Sequence, residues 1–320
     1  MHVVKAVFAV VCLFALSAAA NAQSCSFSMT NIDFGSQSFT TGGNTSTSGT
    51  LTANCSGTAN QTVEICANFG TGSGGSAASG DPRYLKNGSS QIEYSILRAN
   101  GAGQIWGSYL WPYSSRPPSL SIRLGANGQG SLTRSVNARA RVNQPAASTG
   151  IHTSVFSGSN ALFDYGYSPG FTCSAATSGR AVQVPFTALV NNTASCTLAA
   201  TDMSFGNVSN LTTAINATST ITATCTKGTA YNLGLSNGSG GGTTPTARRM
   251  INGSTASFVT YGIYRNAART QPWGNTVGTD TATGRGNGNT QAFTAYGRVP
   301  AQASPESFTY TDTIIATITY

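Results

Sequence analysis

The sequence contains two copies of one cysteine-containing pattern. Residues 25–35 match residues 196–206, and in each copy a Phe-Gly pair follows the first cysteine at the same distance. A second cysteine follows the first by 30 residues at Cys55 and by 29 residues at Cys225. Later motifs recur in the same order: Asn-Gly at 87–88 and 252–253, Trp-Gly at 106–107 and 273–274, and Arg-Val at 141–142 and 298–299. This order predicts two domains of one fold, which begin near Cys25 and Cys196.

Short runs of β-branched and aromatic residues indicate strands. Such runs occupy residues 92–96, 258–264 and 310–320, and residues rich in Gly, Asn, Ser and Pro separate them. The repeated Asn-Gly pairs are typical of hairpins, and no stretch keeps a period of 3.6 residues. We therefore predict an all-β chain of two immunoglobulin-like β-sandwich domains.

The first 22 residues have the features of a secretory signal peptide. His2 and Lys5 precede an apolar run over residues 6–19, and small residues at 20 and 22 suit signal peptidase. We expect cleavage after Ala22 and export of the chain. The run is too short to cross a bilayer, and no longer apolar run follows, so no membrane span is predicted.

Six cysteines remain after removal of the signal peptide, which carries Cys12. An even number in an exported chain indicates disulfides. The repeat pairs Cys25 with Cys55 and Cys196 with Cys225, which leaves Cys66 and Cys173 to pair within the first domain. No Cys-x-x-Cys motif occurs, and we predict no metal site.

The charged residues favour neither nucleic-acid binding nor catalysis. They make up only 8% of a chain with a net charge of +8, which falls to +7 when Lys5 is removed (8 − 1), and the arginines are scattered. His152 is the one histidine left after cleavage, and no phosphate loop occurs. We predict no enzyme and no cofactor.

The second copy resembles the spore coat protein U domain family. The resemblance covers nearly all of residues 196–320, whereas the first copy keeps the cysteines and Trp106-Gly107 but lacks the Tyr-Gly-Arg motif. The motifs that carry it are Phe205-Gly206, Arg248-Arg249-Met250, Tyr261-Gly262-Ile263-Tyr264, Trp273-Gly274, Tyr296-Gly297-Arg298 and the closing run to Tyr320.

The resemblance implies a subunit of an archaic (Csu-type) chaperone–usher pilus. Its implied partners are a periplasmic pilus chaperone, an outer-membrane usher and an adjacent pilin subunit that donates an N-terminal strand. Residues 191–320 are then a pilin domain that lacks its last strand, because the sequence ends on an apolar strand at Tyr320. The expected acceptor residues at this end are Ile314, Ile315, Ile318 and Tyr320.

The stretch 181–190 resembles the donor strand of this family. Because it is tethered to the first domain, we expect it to be the last strand of a domain that spans residues 23–190. Pro185 removes one ladder hydrogen bond, so we expect full pairing on one side only. The residues that alternate on one face are Val182, Val184, Phe186, Ala188 and Val190.

The mature N-terminus suggests a position at the pilus tip. After cleavage only Gln23 and Ser24 precede Cys25, whereas a donor strand needs about ten residues. Such a subunit receives a strand but donates none. We therefore expect it at the extracellular tip, after export through the periplasm.

One loop differs in character between the two copies. After Trp106 it is aromatic, and after Trp273 it is polar. Exposed apolar patches mark interaction sites, so we predict a tip adhesin that attaches cells to abiotic or host surfaces and starts biofilms. The alternatives are a glycan-binding tip and a structural pilus or coat subunit. The predicted surface-binding residues are Tyr109, Leu110, Trp111 and Tyr113, with Phe163 and Tyr167 at the same pole.

Overall fold

The computed structural model describes residues 22–40, 44–98, 103–174, 179–253 and 256–320. Apart from Ala22, the predicted signal peptide (1–22) lies outside the described residues. Regular structure in the described part is β, except for one 3-10 turn at Gly158–Asn160, so the predicted all-β class is confirmed. No helix among the described residues is long and apolar enough to span a bilayer.

Twelve strands build the N-terminal domain. They are β1 (Ser24–Met29), β2 (Ile32–Gln37), β3 (Thr45–Ser56), β4 (Thr62–Phe69), β5 (Arg83–Asn87), β6 (Ser90–Leu97), β7 (Leu120–Arg123), β8 (Gln129–Ala140), β9 (Gly150–Phe156), β10 (Ala161–Ser168), β11 (Arg180–Gln183) and β12 (Phe186–Asn192).

These strands form a two-layer sandwich. The larger sheet has the order β1-β3-β8-β6-β5-β9-β12-β2, and the smaller sheet has the order β11-β10-β4-β7. Because successive side chains of a strand point to opposite faces, alternate residues enter the space between the layers. Phe69, Trp106, Phe156 and Phe163 lie there with no exposed surface. The core of this domain is therefore rich in aromatic rings.

The predicted last strand of this domain is divided between the two sheets. β11 pairs with β10 in the smaller sheet, and β12 pairs with β9 and β2 in the larger sheet. The chain crosses between the layers at Val184 and Pro185. The expectation of one-sided pairing at Pro185 is wrong, because the proline lies at the crossing, where its missing N–H interrupts neither ladder. Phe186, Ala188 and Val190 are buried as the alternation predicts.

We expect Phe186→Ala to destabilise the N-terminal domain by about 3–5 kcal/mol, the usual cost of removing a buried aromatic ring. The ring stacks on Phe156 at 4.4 Å and packs edge-on against Phe69 at 5.2 Å. Chemical denaturation of residues 23–192 measures the change. Thr187→Ala, on the other face of β12, serves as the control. Equal midpoints for the two variants would contradict the role of β12 as a core strand.

Eight strands build the C-terminal domain. They are β13 (Cys196–Ala200), β14 (Ile215–Cys225), β15 (Ala230–Leu235), β16 (Arg248–Ile251), β17 (Phe258–Tyr264), β18 (Ala282–Arg285), β19 (Thr290–Val299) and β20 (Ala316–Thr319). Their sheets have the orders β13-β14-β19-β17-β16 and β18-β15-β20.

Three disulfides link the chain in the pairs that the repeat and the remaining cysteines predict. Cys25–Cys55 and Cys196–Cys225 each join the first strand of a domain to its neighbour, in the same register. Cys66–Cys173 ties β4 to the loop that follows β10. The third disulfide therefore belongs to the N-terminal domain alone.

The two domains contact each other through backbone around Lys227. Lys227 donates its N–H to the Pro145 carbonyl at 3.0 Å and accepts from the Thr149 N–H at 3.3 Å. Thr40 and Thr226 share a hydroxyl hydrogen bond of 2.6 Å. These hydrogen bonds hold the two domains together beside the end of β12 that leads into the C-terminal domain.

Candidate functional site

Two buried arginine–tryptophan pairs show which residues of the domains correspond. The indole N–H groups of Trp106 and Trp273 each donate to a backbone carbonyl, of β4 and β15 respectively, at 2.8 Å. Arg83 donates to the Trp106 carbonyl at 2.7 Å, and Arg248 donates to the Trp273 carbonyl at 2.7 Å. Since both contacts recur with one geometry, β4 corresponds to β15 and β5 corresponds to β16.

The strand that closes the N-terminal sandwich has no counterpart among the described residues of the C-terminal domain. Residues 203–208 match β2 but form no strand, and residues 308–314 match β9 but form one bridge, between Thr311 and Ile251. β20 corresponds to β10 and has β15 as its neighbour, whereas β10 also pairs with β11. The positions that β11 and β12 occupy in the first domain are therefore unfilled among the described residues of the second.

An apolar groove runs along these open edges. Two adjoining cavities of about 420 Å³ and about 750 Å³ share the side chains of Met203, Phe205 and Tyr310. On the larger cavity, Val208 is 50% exposed and Phe308 is 63% exposed. Inward side chains of β12 fill the corresponding space of the N-terminal domain. The groove thus lies where a strand is missing, and its walls combine apolar side chains with open strand edges.

The predicted acceptor residues divide between two faces. Ile314 lines the groove, and Ile318 packs inward from β20, opposite Leu233. Ile315 and Tyr320 point outward, with 65% and 57% of their surface exposed. The second wall of the groove, residues 203–208, was not predicted as part of the acceptor edge.

The Asp312 carboxylate links the segment at the open edge to the rest of the C-terminal domain. Asp312 accepts hydrogen bonds from the Tyr261 hydroxyl at 2.8 Å and from the backbone N–H groups of Ser239 and Gly240 at 2.7 and 2.9 Å. Burial, reinforced by the bond to this carboxylate, raises the pKa of Tyr261. The groove floor is therefore held in place while its edge lacks a strand.

The aromatic loop of the N-terminal domain rests on Arg83. This side chain is completely buried, and its guanidinium donates to the carbonyls of Gly70, Phe69 and Trp106 at 2.8, 3.0 and 2.7 Å. Burial lowers the pKa of Arg83 to about 10, so the group stays charged near neutral pH. A fixed positive charge thus lies beneath residues 108–118.

Trp111 is the anchor of this loop, and its predicted exposure is wrong. Only 9% of its surface is exposed. The ring lies 5.0 Å from the Arg83 guanidinium, and its N–H donates to the Ser115 carbonyl at 2.9 Å. A cation–π contact with a desolvated guanidinium stabilises a buried indole. A sugar therefore has no open ring face of Trp111 on which to stack.

The exposed apolar surface of the loop belongs to the neighbours of Trp111. Leu110 is 42% exposed, while Tyr109 and Tyr113 are half-buried. The Arg116 guanidinium lies 5.6 Å from the Tyr109 ring and donates to the Ser108 carbonyl at 3.0 Å. The contacts of Arg116 thus stabilise the loop, and Leu110 lies at its surface.

Phe163 and Tyr167 do not share this surface. Phe163 is completely buried, because it is an inward residue of β10. Tyr167 lies opposite Val63, at the other end of the β4–β10 pair from Phe69, and its hydroxyl donates to the Ser56 carbonyl at 2.6 Å. The predicted common pole is therefore wrong.

The loop lies at the end of the N-terminal domain away from the C-terminal domain. Gly107, at its start, accepts from the Phe69 N–H at 3.1 Å, and Phe69 packs against Phe186. From Phe186, β12 runs about 20 Å to Asn192, whose amide donates to the Ser148 carbonyl beside the junction. Leu110 is thus presented at the far end.

The corresponding loop of the C-terminal domain closes on itself. Asp280 accepts from the Thr276 N–H at 2.7 Å, and its carbonyl accepts from the Gly274 N–H at 3.0 Å. Val277 is exposed by 55% but has no aromatic neighbour in this turn. The apolar surface is thus a property of the first domain's loop.

Sequence reasoning did not identify the two buried arginines as positioning residues. A signal was present, because Arg83 and Arg248 each precede the glycine of an Asn-Gly pair by the same five positions. A charged residue repeated inside two strand patterns indicates a buried, hydrogen-bonded role.

Comparison with known proteins identifies one curated protein and several solved structures that are similar to this chain. Protein U of Myxococcus xanthus is 38% identical over 73 residues, which are 23% of this chain and 40% of that protein. The CsuC–CsuE chaperone–tip adhesion subunit complex of Acinetobacter baumannii Csu pili has a TM-score of 0.50 and 17% identity, over 93% of this chain and 100% of that chain. The CupB6 tip adhesin from Pseudomonas aeruginosa has a TM-score of 0.37 and 13% identity, over 92% and 94%.

The matched curated relative extends well beyond the aligned part, since the chain spans 40% of its length. The A. baumannii structure shows a shared fold at its low identity. The family model described as Spore Coat Protein U domain matches residues 11–155 and 182–317, which include both repeats. The chain therefore belongs to the spore coat protein U domain family.

Proposed function

We propose that this protein is the adhesive tip subunit of an archaic chaperone–usher pilus. The observation that carries the proposal is the difference between the two domains at one strand position. β12 fills that position in the N-terminal domain, and an apolar groove lies there in the C-terminal domain. The first domain is complete by itself, and the second requires a strand from outside.

The partners follow from how such a groove is filled. An extended segment that adds to an open edge satisfies the unpaired backbone groups and buries alternate side chains. In the assembled pilus the occupant is the N-terminal strand of an adjacent pilin subunit. Before assembly a periplasmic pilus chaperone protects the groove. At the outer-membrane usher, the N-terminal strand of the adjacent subunit replaces the chaperone. The A. baumannii tip subunit, which has the same fold, was solved with its chaperone.

Attachment is the role of the N-terminal domain. Its loop, residues 108–118, lies away from the C-terminal domain and exposes Leu110 with the edges of Tyr109 and Tyr113. Apolar contact is non-directional and grows with area, so such a tip suits attachment to abiotic or host surfaces and the start of a biofilm. The protein is exported by its signal peptide, crosses the periplasm and acts outside the cell.

Immunogold labelling with antibodies against residues 23–192 tests the position in the fibre. We expect gold at one end of each pilus and none in a strain from which the gene is deleted. Antibodies against the shaft subunit of the same pilus serve as the control and label along its length. Gold along the shaft in the first experiment would instead identify a structural pilus subunit.

A further inference from the structure

A cavity of the N-terminal domain has chemistry that the adhesive loop does not use. It measures about 380 Å³ and opens on the outer face of the larger sheet, where Ser95 of β6 lies directly opposite Arg139 of β8. This volume is within the range of about 300–1,000 Å³ that is usual for small-molecule sites. The lining residues used below are Asn44, Asp81, Ser95, Leu97, Ile105 and Arg139.

The charges around the cavity leave one cation available. Arg141, at the cavity wall, is held between two carboxylates: its Nη1 lies 3.0 Å from Glu93 Oε2, and its Nη2 lies 4.0 Å from Asp81 Oδ2. Arg139 is exposed and has no ion pair among the residues that the structure describes. With Glu93 counted beside the lining, two arginines stand near two carboxylates, so the group carries no net charge (2 − 2), and Arg139 is the arginine of the pair without a direct ion partner among the described residues. A ligand carboxylate would pair with Arg139.

The rest of the lining suits a ligand with hydroxyl groups and a C–H surface. Asp81 Oδ2 accepts from the Ser95 hydroxyl at 3.1 Å, and a carboxylate oxygen has room for a second donor. Asn44 adds an amide at the opening. Leu97 and Ile105 form a backbone bridge and supply the apolar part of the wall. Hydroxyl, carboxylate and apolar C–H groups occur together in acidic sugars.

We propose that this cavity binds an acidic saccharide unit of the uronic acid type. The sugar carboxylate pairs with the planar guanidinium of Arg139, which can donate two parallel hydrogen bonds. A sugar hydroxyl donates to Asp81, and the C–H face of the ring lies on Leu97 and Ile105. The site would add recognition of acidic polysaccharides to the non-specific contact of the loop.

The cavity adjoins the proposed adhesive loop. Gly80, which precedes Asp81, lies so close to the Tyr113 ring that a Cβ atom there would overlap it. A surface that meets Leu110 and Tyr113 is therefore near the cavity. The saccharide proposal goes beyond the proposed function and does not depend on it, because binding to the soluble chain requires no pilus.

Isothermal titration calorimetry of the full chain with D-glucuronate tests the site. We expect binding that Arg139→Ala weakens about tenfold or more, the usual scale for loss of a charge-assisted hydrogen bond. Arg123→Ala removes an exposed arginine of β7 outside the cavity and should leave the affinity unchanged.

The ligand series separates the chemical parts of the proposal. D-glucose lacks the carboxylate and acetate lacks the ring, so each should bind at least about tenfold more weakly than D-glucuronate. The proposal is overturned if D-glucuronate does not bind, if Arg139→Ala binds it as tightly as the wild type, or if acetate binds equally well. Circular dichroism of the variants shows whether each is folded, and we expect Arg139→Ala to keep the fold because Arg139 is exposed.

Discussion

A strand supplied to the C-terminal domain is expected to raise its melting temperature by about 10 °C or more. The strand can be taken from this chain, by placing a copy of residues 179–192 behind Tyr320 through a flexible linker of about ten residues. This reproduces the connection by which β11 and β12 follow β10. Three large apolar side chains at about 1.5–3 kcal/mol each give about 5–9 kcal/mol gross. Part of this free energy offsets the conformational entropy that is lost when the strand becomes ordered. A net stabilisation of about 3 kcal/mol corresponds to the expected rise in melting temperature.

The comparison uses residues 196–320 with and without the added strand, followed by thermal unfolding and by light scattering for aggregation. The matched control carries the same addition with its four buried positions, the copies of Val184, Phe186, Ala188 and Val190, changed to Ser. This control should behave as the unextended domain. Equally high melting temperatures with and without the strand would show that the groove needs no occupant.

Replacing the exposed apolar residues of the loop is expected to abolish attachment to hydrophobic plastic. The variant carries Tyr109→Ser, Leu110→Ser and Tyr113→Ser. One apolar ring contributes only about 1.5–3 kcal/mol, but many tips on one cell multiply the effect. Loss of a small energy per tip therefore brings adherent cells down to the level of a pilus-free strain. Pili should still assemble, because the proposed assembly site is the groove of the C-terminal domain.

Crystal-violet staining of adherent cells and electron microscopy of pili measure the two outcomes. Val277→Ser, in the corresponding loop of the C-terminal domain, is the control and should leave attachment unchanged. Trp111→Ala differs in kind, because its buried indole rests on Arg83, and it should also lower the melting temperature of the N-terminal domain. Normal attachment by the triple variant on normal pili would show that this loop is not the adhesive surface.

The internal repeat predicts much of the architecture but not which of the repeated segments form strands. Phe34 and Phe205 stand in matching motifs, yet only the first motif is a strand. The difference is not local, because strand formation at an edge depends on a neighbour that the second domain lacks. In the same way, Pro185 marked an interruption of pairing, but a proline alone cannot show that the chain crosses to the other sheet.

The burial of residues 108–118 was harder to predict, because burial depends on contacts far away in the chain. The composition around Trp111 is that of an exposed aromatic loop, and nothing local indicates that Arg83 lies beneath the indole. Phe163 had a clearer signal, since Ala161, Phe163 and Tyr165 alternate at period two and are all buried. That pattern is typical of a strand face and favours a core position.

The position of β12 has a mechanical consequence. A surface that holds the loop and a fibre that holds the C-terminal domain would pull the Asn192 end of this strand against the sandwich that carries the loop. β12 pairs with β9 over all seven of its residues and with β2 from Ala188 to Asn192, so such tension acts along the strand, parallel to its neighbours. Hydrogen bonds loaded in shear must break together, whereas those at a peeled edge break one after another. In the proposed tip, the segment that completes the N-terminal sandwich would thus also be the one through which force passes from the attached surface to the fibre.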